Sequence, residues 1–173
     1  MHSWGSAATS GTPPRPCAKR WRRRDAAATL REALAALDGL PGTRVLRVSG
    51  LYRTPAWGRL DQPDFINAAA KLETGLGPRA LLDALLDVER QFGRDRQDED
   101  ARWGPRTLDL DLLLFDDAMV DEPGLRVPHP HLHERAFALV PLAAIAPDAP
   151  IPGHGTVRSA LAAVAADGIE ALP

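Results

Sequence analysis

The chain has 173 residues, a length typical of a single domain, and 45% of them are hydrophobic, enough for a buried core. The formal net charge is -2, but residues 1–24 hold six of the 21 basic and none of the 23 acidic side chains, so the remainder carries 15 basic against 23 acidic residues, or -8. The acidic body argues against a nucleic-acid-binding protein, the single cysteine excludes a disulfide framework, and no apolar run approaches the length of a membrane span.

Residues 1–24 differ in character from the rest of the chain. They combine small residues, prolines and a basic run without helical or strand periodicity. This composition predicts a disordered basic arm in front of a domain formed by residues 25–173. An Arg-rich, acid-poor segment is also typical of transit peptides, which is the weaker alternative.

Downstream of this segment, apolar periodicity predicts helices and strands in a regular order. Asp25 is a suitable N-cap for a helix that ends near Leu37, before Pro41 and Gly42. The order predicts an α+β fold, a ferredoxin-like α/β sandwich in which helices pack on an antiparallel sheet. That layout requires one more strand in front of the first helix, and the sequence does not show it. The other predicted elements are strands over 45–51, 65–72 and 108–115 and helices over 78–92, 132–142 and 157–166.

The segment RWGPRTLDLDLLLF, residues 102–115, gives the strongest chemical signal. Because side chains alternate along a strand, Asp109 and Asp111 point to the same face, roughly 6–7 Å apart. Two carboxylates this close repel each other unless cations lie between them, and magnesium prefers one or two carboxylates together with phosphate oxygens of a substrate. A solvated strand face is the alternative, but Arg102 and Arg106 favour binding of a polyphosphate.

Arg94 and Arg96 lie in the charged loop just before this segment. Because several acidic residues surround them, they fit ordinary surface charges. They equally fit a mobile loop that brings guanidinium groups onto phosphates and excludes water. The residues alone leave both interpretations open.

Three histidines alternate in VPHPHLHERAF, residues 127–137. Zinc sites usually add cysteine or carboxylate partners at ligand spacing, and none is obvious here, so zinc is disfavoured. His129 is expected to donate a hydrogen bond to a phosphate. His131 and His133 are expected at the surface, at the start of a helix.

A third segment, LYRTPAWGRLDQPDFINAA, covers residues 51–69. Asn67 offers a donor and an acceptor, which suits the amide-like edge of a heteroaromatic ring, and Phe65 and Trp57 could stack on such a ring. The alternative is that the aromatic residues belong to the core and Asn67 satisfies a backbone group. Taken by itself, the segment favours that alternative.

Together, the three segments resemble the 6-hydroxymethyl-7,8-dihydropterin pyrophosphokinase family. YRTP…DQPDFINAA, RWGPRTLDLDLLLF and VPH…ERAF occur in the order and close to the spacing of that family, over residues 25–150. The resemblance implies an enzyme of folate synthesis that transfers diphosphate from ATP to the pterin alcohol, leaving AMP. It also implies two magnesium ions as cofactor and a cytoplasmic monomer without nucleic-acid or membrane partners.

The resemblance further implies roles for individual residues. Asp109 and Asp111 correspond to the magnesium ligands and form the catalytic group with Arg94 and Arg96. The expected pterin pocket consists of Thr54, Pro55, Trp57, Phe65, Asn67 and Phe137, with Phe137 stacked on the pterin. The expected ATP contacts are Glu89, Arg102, Trp103, Arg106, His129 and Arg135.

The N-terminal region departs from the family pattern. Members begin with a buried strand that runs into a G-x-G-S-N-L-G-D loop beside the pterin, and neither can be read in residues 1–24. The first strand is therefore expected to be absent or altered. Suitable codons for Trp4 to Thr12, read one base out of register, can encode that loop, which suggests a frameshift or a misassigned start. A catalytically impaired copy that keeps the fold is the alternative function.

Overall fold

The computed structural model describes residues 2–9, 23–54, 64–92 and 108–173 of the chain. The first half contains β1 (His2–Thr9), α1 (Arg23–Asp38), β2 (Thr43–Val48), β3 (Tyr52–Thr54), β4 (Phe65–Thr74) and α2 (Pro78–Gln91). The second half contains β5 (Asp109–Phe115), β6 (Val120–Glu122), β7 (Leu125–Val127), a 3-10 turn (Leu132–Glu134), α3 (Ala136–Ile145), β8 (Pro150–Ile151), β9 (Gly155–Thr156), α4 (Val157–Ala162) and β10 (Glu170–Ala171).

Six of the described strands form one antiparallel sheet. Its order is β10, β3, β4, β1 and β5, and β2 pairs with the other half of β4. β1 lies between β4 and β5 and pairs antiparallel with both. Since α1 leads from β1 to β2 and α2 leads from β4 to β5, each helix joins strands that have another strand between them, as in ferredoxin-like sheets. The predicted α+β fold is confirmed.

The strand expected to be absent or altered is present, and its sequence is altered. β1 has the sequence HSWGSAAT, in which small residues hide any alternation. A strand interior of this kind has low intrinsic β-propensity, so the sequence alone predicts none. The neighbouring strands stabilise β1 despite its low propensity, because its backbone pairs with β4 on one side and β5 on the other.

Helices cover both faces of the sheet. On one face, Leu30 and Leu37 of α1 and Leu81 and Leu85 of α2 pack on a buried cluster that includes Leu110. The opposite cluster joins α3 and α4 to the sheet, with Leu139, Leu142, Val157, Ala69 and Leu113 among its buried members. Each helix therefore buries one apolar stripe, as the periodicity predicted. None of the helices in the described ranges is both long and apolar enough to cross a bilayer.

Three helix boundaries differ from the predictions. The helix α1 begins at Arg23, so Asp25 lies within its first turn rather than at its N-cap. The helix expected from residue 132 is a 3-10 turn that stops at Arg135, whose backbone is not helical (φ -103°, ψ 89°), and α3 begins only at Ala136. The carbonyl of Arg135 then accepts the first hydrogen bonds of α3, from the amides of Ala138 and Leu139. The last helix ends at Ala162 rather than near 166. Its apolar periodicity continues past that point, which explains the overlong prediction.

Candidate active site

Asp109 and Asp111 lie on β5 as the alternation predicted. Asp109 is half-buried and Asp111 is exposed, whereas Leu110 and Leu112 between and beyond them are buried in the cluster under α1 and α2. The two carboxylates therefore face the opposite side of the sheet, roughly 6–7 Å apart along the strand. The prediction that Asp109 and Asp111 share one face of a strand is confirmed.

The register of β1 connects this acidic pair to Asn67. Ala8 is the partner of both Asn67 on β4 and Asp109 on β5, and Ser6 is the partner of both Ala69 and Asp111. Residues directly opposite in antiparallel strands share a sheet face. Asn67 and the two acids consequently lie on one face, with Asn67 two strand spacings, about 10 Å, from Asp109.

Asn67 is held by its neighbour on β3. Its side chain is 1% exposed and its Nδ2 donates a hydrogen bond of 2.9 Å to Oγ1 of Thr54, which is 6% exposed. Tyr52 lies directly opposite Asn67, and half-buried Phe65 lies opposite Thr54. The predicted pair Thr54 and Asn67 is thus a preorganised polar contact beside an aromatic side chain.

A cavity of about 770 Å³ lies next to the acidic pair. Asp111 and Leu112, which point to opposite faces of the sheet, both line it, so it wraps around the outer edge of β5. Leu82 of α2 and Leu125 of β7 contribute apolar wall. Of the residues predicted from sequence, this cavity brings together Asp111 and His129.

His129 is fixed to β5 through its backbone. Its amide donates to the carbonyl of Leu113 at 2.8 Å, and its Nδ1 lies 2.7 Å from the carbonyl oxygen of Pro130. Burial lowers the pKa of His129 below its usual value, although the nearby Asp111 carboxylate opposes that shift. The ring therefore favours the neutral form and can direct Nε2 into the cavity. The tautomer with Nδ1 protonated satisfies the Pro130 carbonyl.

Arg135 and Phe137 stand at the start of α3. The Arg135 guanidinium carbon lies 5.9 Å from the centre of the Phe137 ring, within cation–π range. Phe137 is half-buried against the cluster that contains Ala69 and Leu113. Ala69 lies two residues after Asn67 and Leu113 lies two residues after Asp111, so both share the sheet face of the site residues. Phe137 therefore packs on that face.

Glu89 occupies a different position from the other predicted ATP contacts. Its side chain on α2 is 1% exposed, and its Oε1 accepts a hydrogen bond of 2.7 Å from the backbone amide of Leu110. That amide belongs to the peptide between Asp109 and Asp111. The prediction that Glu89 contacts ATP stays a prediction.

Several predicted residues fall outside the described ranges, where they are neither supported nor contradicted. In the described ranges, no group of three or more histidine, cysteine, aspartate or glutamate side chains could hold a metal ion. The carboxylate pair nonetheless suits magnesium, which completes its shell with water and phosphate oxygens. His133 stacks on His154 with 3.6 Å between ring centres, and neither ring belongs to such a group in the described ranges. The residues outside the described ranges are Pro55, Trp57, Arg94, Arg96, Arg102, Trp103 and Arg106.

Sequence reasoning missed the hairpin whose residues line one side of the cavity. β6 and β7 pair across a two-residue turn formed by Pro123 and Gly124, where Gly124 has φ 74°. Proline followed by glycine between two alternating strands is the signature of such a turn. The pattern VDEPGLRV, with Leu125 and Val127 buried, was therefore a usable signal.

Comparison with known proteins agrees with the sequence resemblance. The sequence model described as 7,8-dihydro-6-hydroxymethylpterin-pyrophosphokinase (HPPK) matches residues 22–147. The chain is 49% identical over 144 residues to the 2-amino-4-hydroxy-6-hydroxymethyldihydropteridine pyrophosphokinase of Pseudomonas aeruginosa, covering 83% of this chain and 87% of that protein. It is 48% identical over 146 residues to the protein of the same name from Methylorubrum extorquens, covering 84% and 90%.

Solved structures show the same fold. A triple mutant of Plasmodium falciparum HPPK-DHPS with SDX-DHP has a TM-score of 0.67 at 12% identity, covering 94% of this chain and 44% of that chain. An HPPK-DHPS in complex with substrates has a TM-score of 0.66 at 12% identity, covering 94% and 43%. This chain therefore spans less than half of either solved chain, and at such identity the likeness concerns the fold alone.

Proposed function

The chain belongs to the 7,8-dihydro-6-hydroxymethylpterin-pyrophosphokinase family, and on this premise we propose that it transfers diphosphate from ATP to 6-hydroxymethyl-7,8-dihydropterin. The hydroxymethyl oxygen attacks the β-phosphorus, the bond between that phosphorus and the oxygen bridging to the α-phosphate breaks, and AMP leaves. The pterin diphosphate serves tetrahydrofolate synthesis. No observation favours the alternative of an impaired copy.

One observation carries the proposal. The shared pairing with β1 fixes Asn67 and the acids of β5 on one sheet face, about 10 Å apart, and the cavity opens beside Asp111. A heteroaromatic substrate at Asn67 would thus lie within reach of a triphosphate held at the acids. Holding both substrates in this arrangement supplies much of the rate acceleration.

We assign the pterin to the Asn67 side of the face. The Asn67 amide, oriented by Thr54, can match the donor and acceptor edge of the ring. Phe65 and Phe137 supply aromatic surface for stacking. Pro55 and Trp57 are proposed to complete this pocket.

We assign ATP to the β5 edge and its cavity. Leu82 and Leu125 line the cavity and offer apolar surface to the nucleoside, and His129 lines it together with Asp111, where we assign the phosphates. Arg135 does not line the cavity but lies close enough to His129 that, besides burial, its charge lowers the pKa of that ring. In the tautomer that satisfies the Pro130 carbonyl, neutral His129 carries its one N–H on Nδ1, so Nε2 donates to a phosphate only after the ring takes up a proton. Arg135 contributes a permanent positive charge. The further ATP contacts proposed are Arg102, Trp103 and Arg106, with Arg94 and Arg96 joining the catalytic group.

Asp109 and Asp111 are proposed to hold two magnesium ions that accompany ATP. When bound, magnesium neutralises charge on the polyphosphate and orients it. The chain itself offers no strong base near Asn67 among the described residues, so its contribution is positioning and charge complementarity. We further propose that the protein acts as a monomer in the cytoplasm, which light scattering and fractionation would test.

Product analysis tests the function directly. With ATP and the pterin alcohol, chromatography should show AMP and pterin diphosphate in equal amounts; ADP in place of AMP would refute diphosphate transfer. Asp109→Asn and Asp111→Asn should each lower turnover on the order of a hundredfold, since each removes a carboxylate that is proposed to hold magnesium against the phosphates. Asp117→Asn, an exposed acid just beyond β5, is the matched control and should keep wild-type turnover.

A further inference from the structure

We infer that Glu89 is a positioning residue that holds the peptide between Asp109 and Asp111, and thereby sets the geometry of the carboxylate pair. The inference rests on the proposed function, because it assigns Glu89 to the metal-binding strand. It differs from a direct contact between Glu89 and ATP. The carrying contact is the 2.7 Å hydrogen bond from the Leu110 amide to Glu89 Oε1, which is buried.

The ladder of the sheet explains why this contact is needed. In antiparallel strands, successive backbone amides point to opposite sides. Asp109 and Asp111 pair with β1, and the Leu110 amide between them points outward, where β5 ends the order of the described strands. A buried amide without an acceptor costs about 1–3 kcal/mol, so the Glu89 carboxylate replaces the missing neighbouring strand.

The position of the contact links it to the cations. Glu89 holds the backbone amide of Leu110, which is the one residue between the two acids. A tilt of this amide therefore changes the angle between the Asp109 and Asp111 side chains. Magnesium requires near-ideal octahedral geometry and tolerates misplaced ligands poorly. Loss of the anchor should therefore weaken cation binding although both carboxylates remain.

The packing of α2 makes the inference testable. Leu81, Leu85 and Val88 dock α2 in the same buried cluster as Leu110, independently of the Glu89 carboxylate. Glu89→Ala should thus fold, with a lower melting temperature. Glu89→Gln keeps an oxygen that can accept the same hydrogen bond and replaces the other carboxylate oxygen with an NH2 group.

Two measurements test the role without relying on catalysis. Amide exchange followed by NMR should show the Leu110 amide of Glu89→Ala exchanging about tenfold faster, and Glu89→Gln should recover most of the protection. Titration of manganese into the complex with a non-hydrolysable ATP analogue should show weaker binding in Glu89→Ala, about tenfold, again largely recovered by glutamine.

The controls separate this role from general destabilisation. Asp87→Ala removes an exposed carboxylate from α2. Thr74→Ala, at a site far from β5, removes a buried hydroxyl that accepts a hydrogen bond from the Leu76 amide. Neither should change manganese affinity. Affinity for the analogue in EDTA should be the same in Glu89→Ala and wild type.

Four results would overturn the inference: unchanged Leu110 exchange in Glu89→Ala, unchanged manganese affinity, Glu89→Gln as weak as Glu89→Ala, or a loss of analogue affinity in EDTA. The third would point to the second carboxylate oxygen rather than to the hydrogen bond from Leu110, and the fourth to a direct nucleotide contact. If wild-type protein forms no AMP, the proposed function fails, while exchange and manganese binding still decide the role of Glu89.

Discussion

Replacing Thr54 by valine should weaken both the fold and pterin binding. The substitution removes Oγ1, which accepts a 2.9 Å hydrogen bond from Asn67 Nδ2 in a place where Asn67 is 1% exposed. Losing a partner at such a buried donor costs about 1–3 kcal/mol, and the added methyl group returns up to about 0.8 kcal/mol. We expect a net loss of about 0.5–2 kcal/mol.

This loss translates into a measurable shift in thermal unfolding. In a chain of this length, 1 kcal/mol lowers the melting temperature by about 2–4 °C, so we expect a decrease of roughly 1–8 °C. The Asn67 amide also loses the contact that fixes its orientation. Ordering it again on binding costs about 0.5–1.5 kcal/mol, which corresponds to a roughly two- to twelvefold weaker affinity for the pterin, measured by calorimetry.

Thr74→Val is the matched control. Thr74 is 3% exposed on β4, the strand of Asn67, and its Oγ1 forms hydrogen bonds with Thr43 and the Leu76 amide, but it lies nine residues from Phe65, about 30 Å along β4. It should lose a comparable amount of stability and keep its pterin affinity. The reasoning is wrong if Thr54→Val unfolds and binds like wild type, or if both variants lose pterin affinity equally.

Three further predictions concern His129, the cavity and Phe137. Because burial lowers the pKa of His129, the unfolded chain takes up a proton there at higher pH than the folded chain; the free energy of unfolding should therefore fall as pH drops through about 6.5, and His129→Gln should reduce this fall in denaturant titrations. Leu82→Trp should fill part of the cavity and raise the Kd for ATP without changing that for the pterin; equal effects on both ligands would place the nucleotide elsewhere. Phe137→Leu keeps apolar bulk but removes the ring, so the pterin Kd should rise about two- to twelvefold while the ATP Kd stays constant, since a stacking contact contributes about 0.5–1.5 kcal/mol.

Local sequence patterns were sufficient to predict the strand that carries the two acids and the helices that pack under it. Alternation alone placed Asp109 and Asp111 on one face, because a strand has a fixed period of two. The helical period likewise predicted that Leu81, Leu82, Leu85 and Val88 of α2 point inward. Leu81, Leu85 and Val88 are buried, whereas Leu82 is half-buried and lines the cavity. These features depend on neighbours in sequence, which a single sequence records.

Features that depend on distant partners could not be predicted. The hydrogen bond from the Leu110 amide to Glu89 joins residues 21 positions apart, and no pattern in either segment predicts it. The resemblance placed Glu89 beside ATP, whereas the described contact attaches it to β5. The break at Arg135 is similarly invisible to apolar periodicity, although it decides where Arg135 and Phe137 stand relative to the sheet.

β1 shows how a poor local signal can coexist with a central position. Its contribution to the site lies in its backbone, since Ala8 and Ser6 set the register that aligns Asn67 and Ala69 with the two acids. Backbone pairing depends little on side-chain identity, so an altered sequence can fill the slot between β4 and β5. By contrast, a one-residue slip of β4 against β1, with β5 unmoved, would pair Asn67 and Asp109 with different residues of β1 and turn their side chains to opposite faces. The register of this strand, more than its composition, therefore determines whether the two substrates meet.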